Sequence, residues 1–210
     1  MEIVKNISEL LQAGKARDVK ALVQQAIDEG IPAAVILEEG LLDGMGKLGV
    51  KFKNNEVFVP EVLVAARALN FGTEVLKAKL LEEGVQRIGK VVIGTVKGDL
   101  HDIGKNLVRM MLEGAGFEVI DIGVDVGEDA FVQAVRDYSP QVLCLSALLT
   151  TTMNQQLVVI EALKAAGLRD SVKVMVGGAP ITQSYADQIG ADAYTPDAST
   201  AAEVAKSFVA

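Results

Sequence analysis

The chain contains a single histidine, His101, within a short segment rich in acidic residues and glycines, KGDLHDIGKNLV. Asp99 stands two positions before it and Asp102 directly after it, while Gly98 and Gly104 bracket the group. An imidazole serves as an acid, a base or a metal ligand, and a neighbouring carboxylate fixes which ring nitrogen carries the proton. This segment is therefore the first candidate for chemistry in the chain.

The spacing of the segment excludes several familiar sites. A dinucleotide site needs G-x-G-x-x-G, and a P-loop needs four residues between its glycines, then Lys and a hydroxyl residue. The chain instead reads GDLHDIGKN, with five residues between the glycines and Asn106 in the hydroxyl position. A zinc hydrolase needs more histidines or cysteines than this chain offers. No G-x-S-x-G elbow is present either, and no phosphoacceptor aspartate follows CLSALL.

The apolar pattern divides the chain near residue 85. Before it, stripes at helical spacing such as ARDVKALVQQAIDEG predict four helices joined by short loops, a four-helix bundle over residues 1–87. Residues 88–210 show five β-rich runs, KVVIGTV, FEVIDIG, QVLCLSAL, VKVMVGG and ADAYT, each followed by a helical pattern. This alternation predicts an α/β fold with a doubly wound, flavodoxin-like or Rossmann-like parallel sheet of five strands. The segment LEEGVQRIGK is the expected linker, with a hinge around Glu82–Lys90.

The predicted sheet brings distant residues together. Ligands of such folds bind at the carboxyl ends of the strands, near the point where the strand order reverses. The loops after the first, third and fourth strands carry KGDLHD, SALLTTT and GGAP. We therefore expect His101, Ser146 and Gly177–Gly178 to converge at one edge.

One imidazole can hold a metal only if something else fills the remaining coordination positions. A tetrapyrrole-type macrocycle does so, since it supplies four nitrogens and leaves an axial site open. Asp99 could then hydrogen-bond the far ring nitrogen of His101 and tune its basicity. Gly98 and Gly104 would let the backbone approach a large planar ligand.

Composition limits the partners and the compartment. The net charge of −8 argues against a nucleic-acid partner. No apolar run is long enough for a membrane span, so no membrane association is expected. Cys144 is the single cysteine, which excludes an intrachain disulfide and favours the cytoplasm; within an apolar strand it is expected to be buried and inert.

Three motifs carry a family resemblance. DLHDIG matches the D-x-H-x-x-G signature of cobalamin-binding domains, and SAL at Ser146–Leu148 and GG at Gly177–Gly178 match its two companion motifs in order. GMGKLGVKF and EVFVPEVLVAARAL resemble the helical cap of cobalamin-dependent methionine synthase and of small methyltransferase corrinoid proteins. The resemblance covers nearly the whole chain. The length, a cap and a binding domain alone, is most similar to the stand-alone, methyltransferase-cognate corrinoid proteins.

The resemblance implies a role for each matching residue. His101 would be the lower cobalt ligand in place of the cofactor's own base, the base-off/His-on mode. Asp99 would pair with it, and Thr152 would supply the hydroxyl that methionine synthase takes from serine. Ser146 and Thr150 would contact the nucleotide tail of the corrinoid. The other positions expected to contact the cofactor are Gly98, Asp102, Ile103, Gly104, Leu148, Gly177, Gly178, Ala198 (from TPDAS, closing the tail pocket) and, over the upper face, Phe58.

The function that the resemblance implies is that of a methyl carrier, and not of a complete enzyme. It would accept a methyl group on Co(I) of cobalamin or a related cobamide from a substrate:corrinoid methyltransferase. A corrinoid:acceptor methyltransferase would pass that group to tetrahydrofolate or a thiol, and a reductive activation protein would serve the cobalt. A cobalamin-dependent sensor and the small subunit of a carbon-skeleton mutase are the alternatives, although sensors usually add a basic DNA-binding segment and mutase subunits normally lack this cap. The methyl donor, the lower base and the oligomeric state stay open.

Overall fold

The computed structural model describes residues 2–210. The chain divides into two compact units. The helical unit consists of the residues up to Arg87 together with Gly114–Gly116, and the α/β unit consists of Ile88–Glu113 and Phe117–Ala210. Between them in sequence, residues 83–89 belong to no helix or strand.

The helical unit contains four helical rods. The third is continuous from 33 to 53 and includes a π-helical segment, because the backbone stays helical through both junctions. The elements are α1 (Glu2–Gln12), α2 (Ala16–Asp28), α3 (Ala33–Val35), the π segment (Ile36–Leu42), α4 (Asp43–Lys53) and α5 (Val59–Glu82).

Apolar residues from all four rods form the core of the helical unit. Ile7, Val19, Leu41 and Leu76 have no exposed surface. Gly72 permits the close approach of α5, since a Cβ atom at that position would lie 2.7 Å from Leu41 Cδ2. The bundle is thus held by burial of the apolar stripes that the sequence displays.

The α/β unit is built on one parallel sheet of five strands in the order β2-β1-β3-β4-β5. The strands are β1 (Lys90–Thr95), β2 (Glu118–Asp121), β3 (Val142–Ser146), β4 (Lys173–Gly177) and β5 (Ala193–Tyr194). The helices are α6 (Ile103–Gly114), α7 (Glu128–Tyr138), α8 (Asn154–Ala165), α9 (Gln183–Ile189) and α10 (Ala198–Ser207), with a short 3₁₀ turn at Arg169–Ser171. The predicted fold class is confirmed, since this strand order is the flavodoxin-like one with its switch point between β1 and β3.

The two faces of the sheet differ. Leu143, Leu145, Val174 and Val176 pack in one core with apolar side chains of α7, α8 and α9. Because successive side chains of a strand alternate between faces, Cys144, Ser146, Met175 and Gly177 point to the opposite face. Cys144 is buried, and burial raises the pKa of its thiol to about 12, as expected for an inert cysteine.

The register aligns the strand ends that matter for the site. Thr95 at the end of β1 pairs with Ser146 at the end of β3, and Ser146 pairs with Gly177 at the end of β4. The loops that follow these three residues therefore begin side by side at the carboxyl edge. Among the helices of residues 2–210, none is both long and apolar enough to span a membrane.

Candidate functional site

A chain of three side chains crosses the carboxyl edge of the sheet. Nδ1 of His101 lies 2.9 Å from Oδ1 of Asp99, and the Thr152 hydroxyl donates to Oδ2 of Asp99 over 2.7 Å. The His101 side chain is 52% exposed, whereas Asp99 has no exposed surface. The predicted pairing of Asp99 with both partners is therefore present, and it presents the imidazole to solvent on a buried support.

The environment of Asp99 favours its ionised form. Burial alone raises the pKa of this carboxyl, but hydrogen bonds from the Thr152 hydroxyl, the Leu148 and His101 amides and the His101 ring outweigh burial. The pKa of Asp99 consequently lies well below its usual range. An ionised carboxylate can only accept, so Nδ1 of His101 carries the proton and, in the neutral ring, Nε2 keeps a free lone pair. A free lone pair on Nε2 is what a metal ligand requires.

Backbone geometry fixes the loop that carries the histidine. Gly98 has a left-handed φ of +79°, which a glycine adopts without strain. The Thr95 hydroxyl donates to the His101 carbonyl over 2.9 Å, so the end of β1 also holds the loop from below. The His101 amide donates to Asp99 Oδ1 over 3.1 Å, which ties the two residues together a second time.

The loop after β3 approaches Asp99 through its backbone. The Leu148 amide donates to Asp99 Oδ2 over 2.8 Å, and the Leu149 amide donates to the same oxygen over 3.4 Å. Thr150 is exposed in the following turn, and Ser146 is half-buried at the strand end. The structure thus brings Leu148 and Thr152 directly to Asp99, while the expected roles of Ser146 and Thr150 toward a nucleotide tail stay predictions.

The two glycines after β4 differ in what requires them. A Cβ atom on Gly178, which has a φ of +129°, would lie 1.8 Å from the Ala147 carbonyl oxygen, so only glycine fits. A Cβ atom on Gly177 would make only an ordinary contact of 3.6 Å with the Thr195 carbonyl oxygen. Gly178 therefore serves the close approach of two loops, whereas the contacts at Gly177 do not require glycine, and the expected roles of both residues toward a nucleotide tail stay predictions.

The remaining predicted residues lie at the same edge or outside the α/β unit. Asp102, Ile103 and Gly104 are exposed where α6 begins, and Ala198 is buried at the start of α10. Phe58 belongs to the helical unit, directly before α5, and is 62% exposed. Their roles toward a cofactor stay predictions.

Exposed apolar side chains lie on the loop that carries the histidine and on the loop after β3. Leu100 and Ile103, on either side of His101, are each 73% exposed, and Leu148 and Leu149 are exposed in the loop after β3. Grouped exposed apolar side chains are typical of a ligand-binding surface. Within residues 2–210, no group of three or more His, Cys, Asp or Glu side chains is arranged to hold a metal ion.

Two side chains that hydrogen-bond to the histidine loop had not been predicted from the sequence. One is Thr95, which bonds the His101 carbonyl, and the other is Asp125 in the loop after β2, which accepts a hydrogen bond from the Gly98 amide over 2.6 Å. Thr95 could have been found from its position at the predicted end of β1. Asp125 carries no comparable signal, because its contact depends on how two loops run beside each other.

Comparison with known proteins identifies the family. Residues 89–205 match the model of the B12 binding domain, and residues 3–77 match a second model of the same description. A dimethylamine corrinoid protein of Methanosarcina barkeri is 44% identical over 211 residues, covering 100% of this chain and 98% of that protein. A trimethylamine corrinoid protein of the same organism is 43% identical over 95% of this chain and 93% of that protein. The chain belongs to the B12-binding family of corrinoid proteins, and the predicted cofactor class, cobalamin or a related corrinoid, is confirmed.

Solved structures agree with this assignment. The methanol:cobalamin methyltransferase complex of Methanosarcina barkeri contains a chain that matches with a TM-score of 0.89 and 30% identity, over 99% of this chain and 80% of that one. A cobalamin-binding protein of Desulfitobacterium hafniense matches with a TM-score of 0.82 and 29% identity, over 99% of this chain and 98% of that one. The likeness therefore covers both the helical cap and the α/β unit.

Proposed function

We propose that this protein is a methyl carrier that binds a corrinoid in the base-off/His-on mode, with His101 as the protein ligand of the cobalt. The observation that carries the proposal is the Thr152–Asp99–His101 chain, which leaves the lone pair of Nε2 free on a half-exposed ring. A bound corrinoid supplies the metal centre that accepts a methyl group and gives it up. The single histidine fits such a group, since the macrocycle supplies four nitrogen ligands of its own and leaves an axial position for one imidazole.

Each of these three side chains has a separate role in binding the corrinoid. Asp99 holds the proton at Nδ1, which fixes the tautomer of His101 and strengthens Nε2 as a donor. Thr152 in turn holds Asp99 in the orientation that reaches the ring. Exposed apolar side chains near the histidine offer a surface to a flat ligand and would exclude water from the bond between His101 and the cobalt. These side chains are Leu100, Ile103, Leu148 and Leu149.

The nucleotide tail of the corrinoid is assigned to the carboxyl edge of β3, β4 and β5. Ser146 and Gly177 are paired in register at the ends of β3 and β4, and a Cβ atom at Gly177 would approach no atom more closely than 3.6 Å. Thr150, Gly178 and Ala198 complete this proposed tail site at the neighbouring loops and at the start of α10. Phe58 of the helical unit is proposed to cover the upper face, where it would shield the methyl group from water.

Two methyltransferases are the proposed partners. A substrate-specific one delivers the methyl group, and a second one passes it to tetrahydrofolate or a thiol, while a reductive activation protein restores the cobalt after oxidation. Because relatives at 43–44% identity are named for dimethylamine and trimethylamine, we propose methylated amines as the donors.

A methylation assay tests this function. The chain is loaded with hydroxocobalamin, reduced, and mixed with dimethylamine or trimethylamine and the matching methyltransferase, while visible spectra follow methylation of the cofactor. We expect turnover with wild type and at least a tenfold slower reaction with His101→Ala. Absence of methylation with every amine, together with tight and light-sensitive binding of adenosylcobalamin, would instead favour a sensor.

A further inference from the structure

We propose that Asp125 is a positioning residue for His101, acting through the backbone of Gly98 and Asp99; this inference builds on the proposed role of His101 as the cobalt ligand. Asp125 lies in the loop after β2, far from the D-x-H-x-x-G motif in sequence. Its hydrogen bonds to the histidine loop involve neither the His101 ring nor the Thr152 hydroxyl, the two side-chain partners of Asp99. These hydrogen bonds go to the backbone of Gly98 and Asp99, directly before the histidine in the loop.

Two hydrogen bonds join Asp125 to the histidine loop in opposite directions. The Gly98 amide donates to Oδ1 of Asp125 over 2.6 Å, and the Asp125 amide donates to the Asp99 carbonyl oxygen over 2.9 Å. Both sides of the Gly98–Asp99 segment are thereby fixed.

The backbone of Asp125 also adopts a left-handed conformation. Its φ is +54°, a left-handed value that is uncommon for any residue with a side chain, although aspartate tolerates it better than most. A glycine would adopt this conformation with less strain. Aspartate therefore combines a left-handed backbone that it tolerates with a carboxylate that accepts the Gly98 amide over 2.6 Å, which glycine could not do.

Backbone hydrogen bonds tie the residues on either side of Asp125 to the end of β1. Val126 bridges to Val96, its amide donates to the Thr95 carbonyl over 3.0 Å, and the Thr95 amide donates to the Gly123 carbonyl over 3.0 Å. The pairing of β1 with β2 thus continues past the strand ends as far as the histidine loop. Asp99 is then held from two sides, by Asp125 at its carbonyl and by the loop after β3 at its carboxylate.

Loss of the Asp125 carboxylate removes the acceptor of the Gly98 amide and so frees the Lys97–Gly98 peptide, while the bond from the Asp125 amide to the Asp99 carbonyl remains. The Asp99 carboxylate then reaches the His101 ring in only part of the population, and the other tautomer, with the proton on Nε2, becomes populated. The support of a metal-binding histidine typically changes metal affinity by about 10–100-fold when it is mutated. Because Asp125 acts one step further away, we expect an effect at the lower end, about tenfold.

Two variants separate the hydrogen bond from the backbone conformation. Asp125→Gly keeps the left-handed conformation and the amide, and removes only the carboxylate. Asp125→Asn keeps an acceptor oxygen and a residue that tolerates left-handed φ. Since glycine relaxes the backbone at this position, Asp125→Gly is expected to fold, and unfolding curves of both variants verify this.

The first readout needs no cofactor. Because the chain has one histidine, labelling with ¹⁵N-histidine gives a single imidazole, whose tautomer is read by long-range ¹H–¹⁵N NMR at pH 8.5 in protein without a histidine tag. We expect the Nδ1–H form in wild type and in Asp125→Asn. In Asp125→Gly the ratio of the Nδ1–H to the Nε2–H form should fall by about fivefold, the factor that one ordinary hydrogen bond sets. A wild-type ratio in Asp125→Gly would overturn the inference, as would an equal loss in both variants.

The second readout uses the protein loaded with cobalamin and reduced to Co(II). The fraction of protein whose EPR spectrum shows splitting from the labelled nitrogen should drop in Asp125→Gly and stay at the wild-type value in Asp125→Asn. If wild type itself shows no such splitting, the proposed His101 ligation fails, and the tautomer ratios of the cofactor-free protein still decide the role of Asp125.

Discussion

Replacing Asp99 with asparagine tests the support of His101 directly. The carboxylate accepts at both oxygens: Oδ1 from the amide and the ring of His101, at 3.1 and 2.9 Å, and Oδ2 from Thr152 and Leu148, at 2.7 and 2.8 Å. An amide side chain has one oxygen, so its NH₂ group must face donors on one side. If the oxygen stays toward Thr152, the NH₂ group faces His101 and forces the ring into the tautomer with the proton on Nε2.

The expected loss of stability follows from these contacts. Hydrogen bonds to a charged group contribute about 1.5–3 kcal/mol each, and an unpaired buried donor costs about 1–3 kcal/mol. Asp99→Asn weakens the bonds at Oδ2, and at the Oδ1 position it sets the NH₂ group against the His101 amide, while the contact with the ring survives only with its direction reversed. We therefore expect the free energy of unfolding to fall by about 3 kcal/mol.

Urea unfolding followed by tyrosine fluorescence measures this loss of stability in the α/β unit, to which Asp99 belongs. The chain has no tryptophan, and its three tyrosines, Tyr138, Tyr185 and Tyr194, all belong to the α/β unit. The matched control is Asp102→Asn, an exposed acid of the same segment, for which we expect a change within about 0.5 kcal/mol. If Asp99→Asn unfolds like Asp102→Asn, and its histidine keeps the Nδ1–H tautomer, the buried support described here is wrong.

Three further predictions concern the same unit. The pKa of Asp99 is lower in the folded than in the unfolded protein, so its ionised carboxylate stabilises the fold. This contribution is complete above about pH 4 and is lost as the pH falls further. The free energies of unfolding of wild type and Asp99→Asn should therefore converge toward low pH. Gly178→Ala places a Cβ atom against the Ala147 carbonyl and should lower the unfolding free energy by about 3 kcal/mol or more, whereas Gly177→Ala should change it by less than about 1 kcal/mol; similar losses would contradict the assigned difference. Lys105→Met leaves the partly buried Asp121 without its ion-pair partner and should lower the free energy of unfolding by about 3 kcal/mol. Adding Asp121→Leu should recover most of that loss in the same urea assay. A double variant as unstable as Lys105→Met would show that the unpaired charge of Asp121 is not the cause of the loss.

The sequence patterns were sufficient to predict the fold because the spacing of apolar residues within each helix or strand shows which side of it is buried. The stripe of Val19, Val23 and Ala26 is buried as its helical spacing predicts, and the apolar runs around Leu143 and Val174 form central strands. Parallel strands place their carboxyl ends at one edge, so the convergence of the loops after β1, β3 and β4 also followed from the pattern.

The finer contacts of the site could not be read from the sequence. The Leu148 amide that donates to Asp99 and the Asp125 carboxylate that receives the Gly98 amide act through backbone groups, which every residue possesses. Their involvement depends on loop conformation, here on left-handed backbone at Gly98 and Asp125. Likewise, Gly178 is required by the approach of the Ala147 carbonyl, a contact between loops that are distant in sequence.

The most direct test of the central claim is the EPR spectrum of the cobalamin-loaded protein in the Co(II) state, recorded with ordinary histidine and with ¹⁵N-histidine. If His101 is the lower ligand, the splitting from one nitrogen changes from a triplet to a doublet on labelling and disappears in His101→Ala. A triplet that persists in the labelled protein would show that the coordinating nitrogen belongs to the cofactor's own base, and it would contradict the assignment of His101.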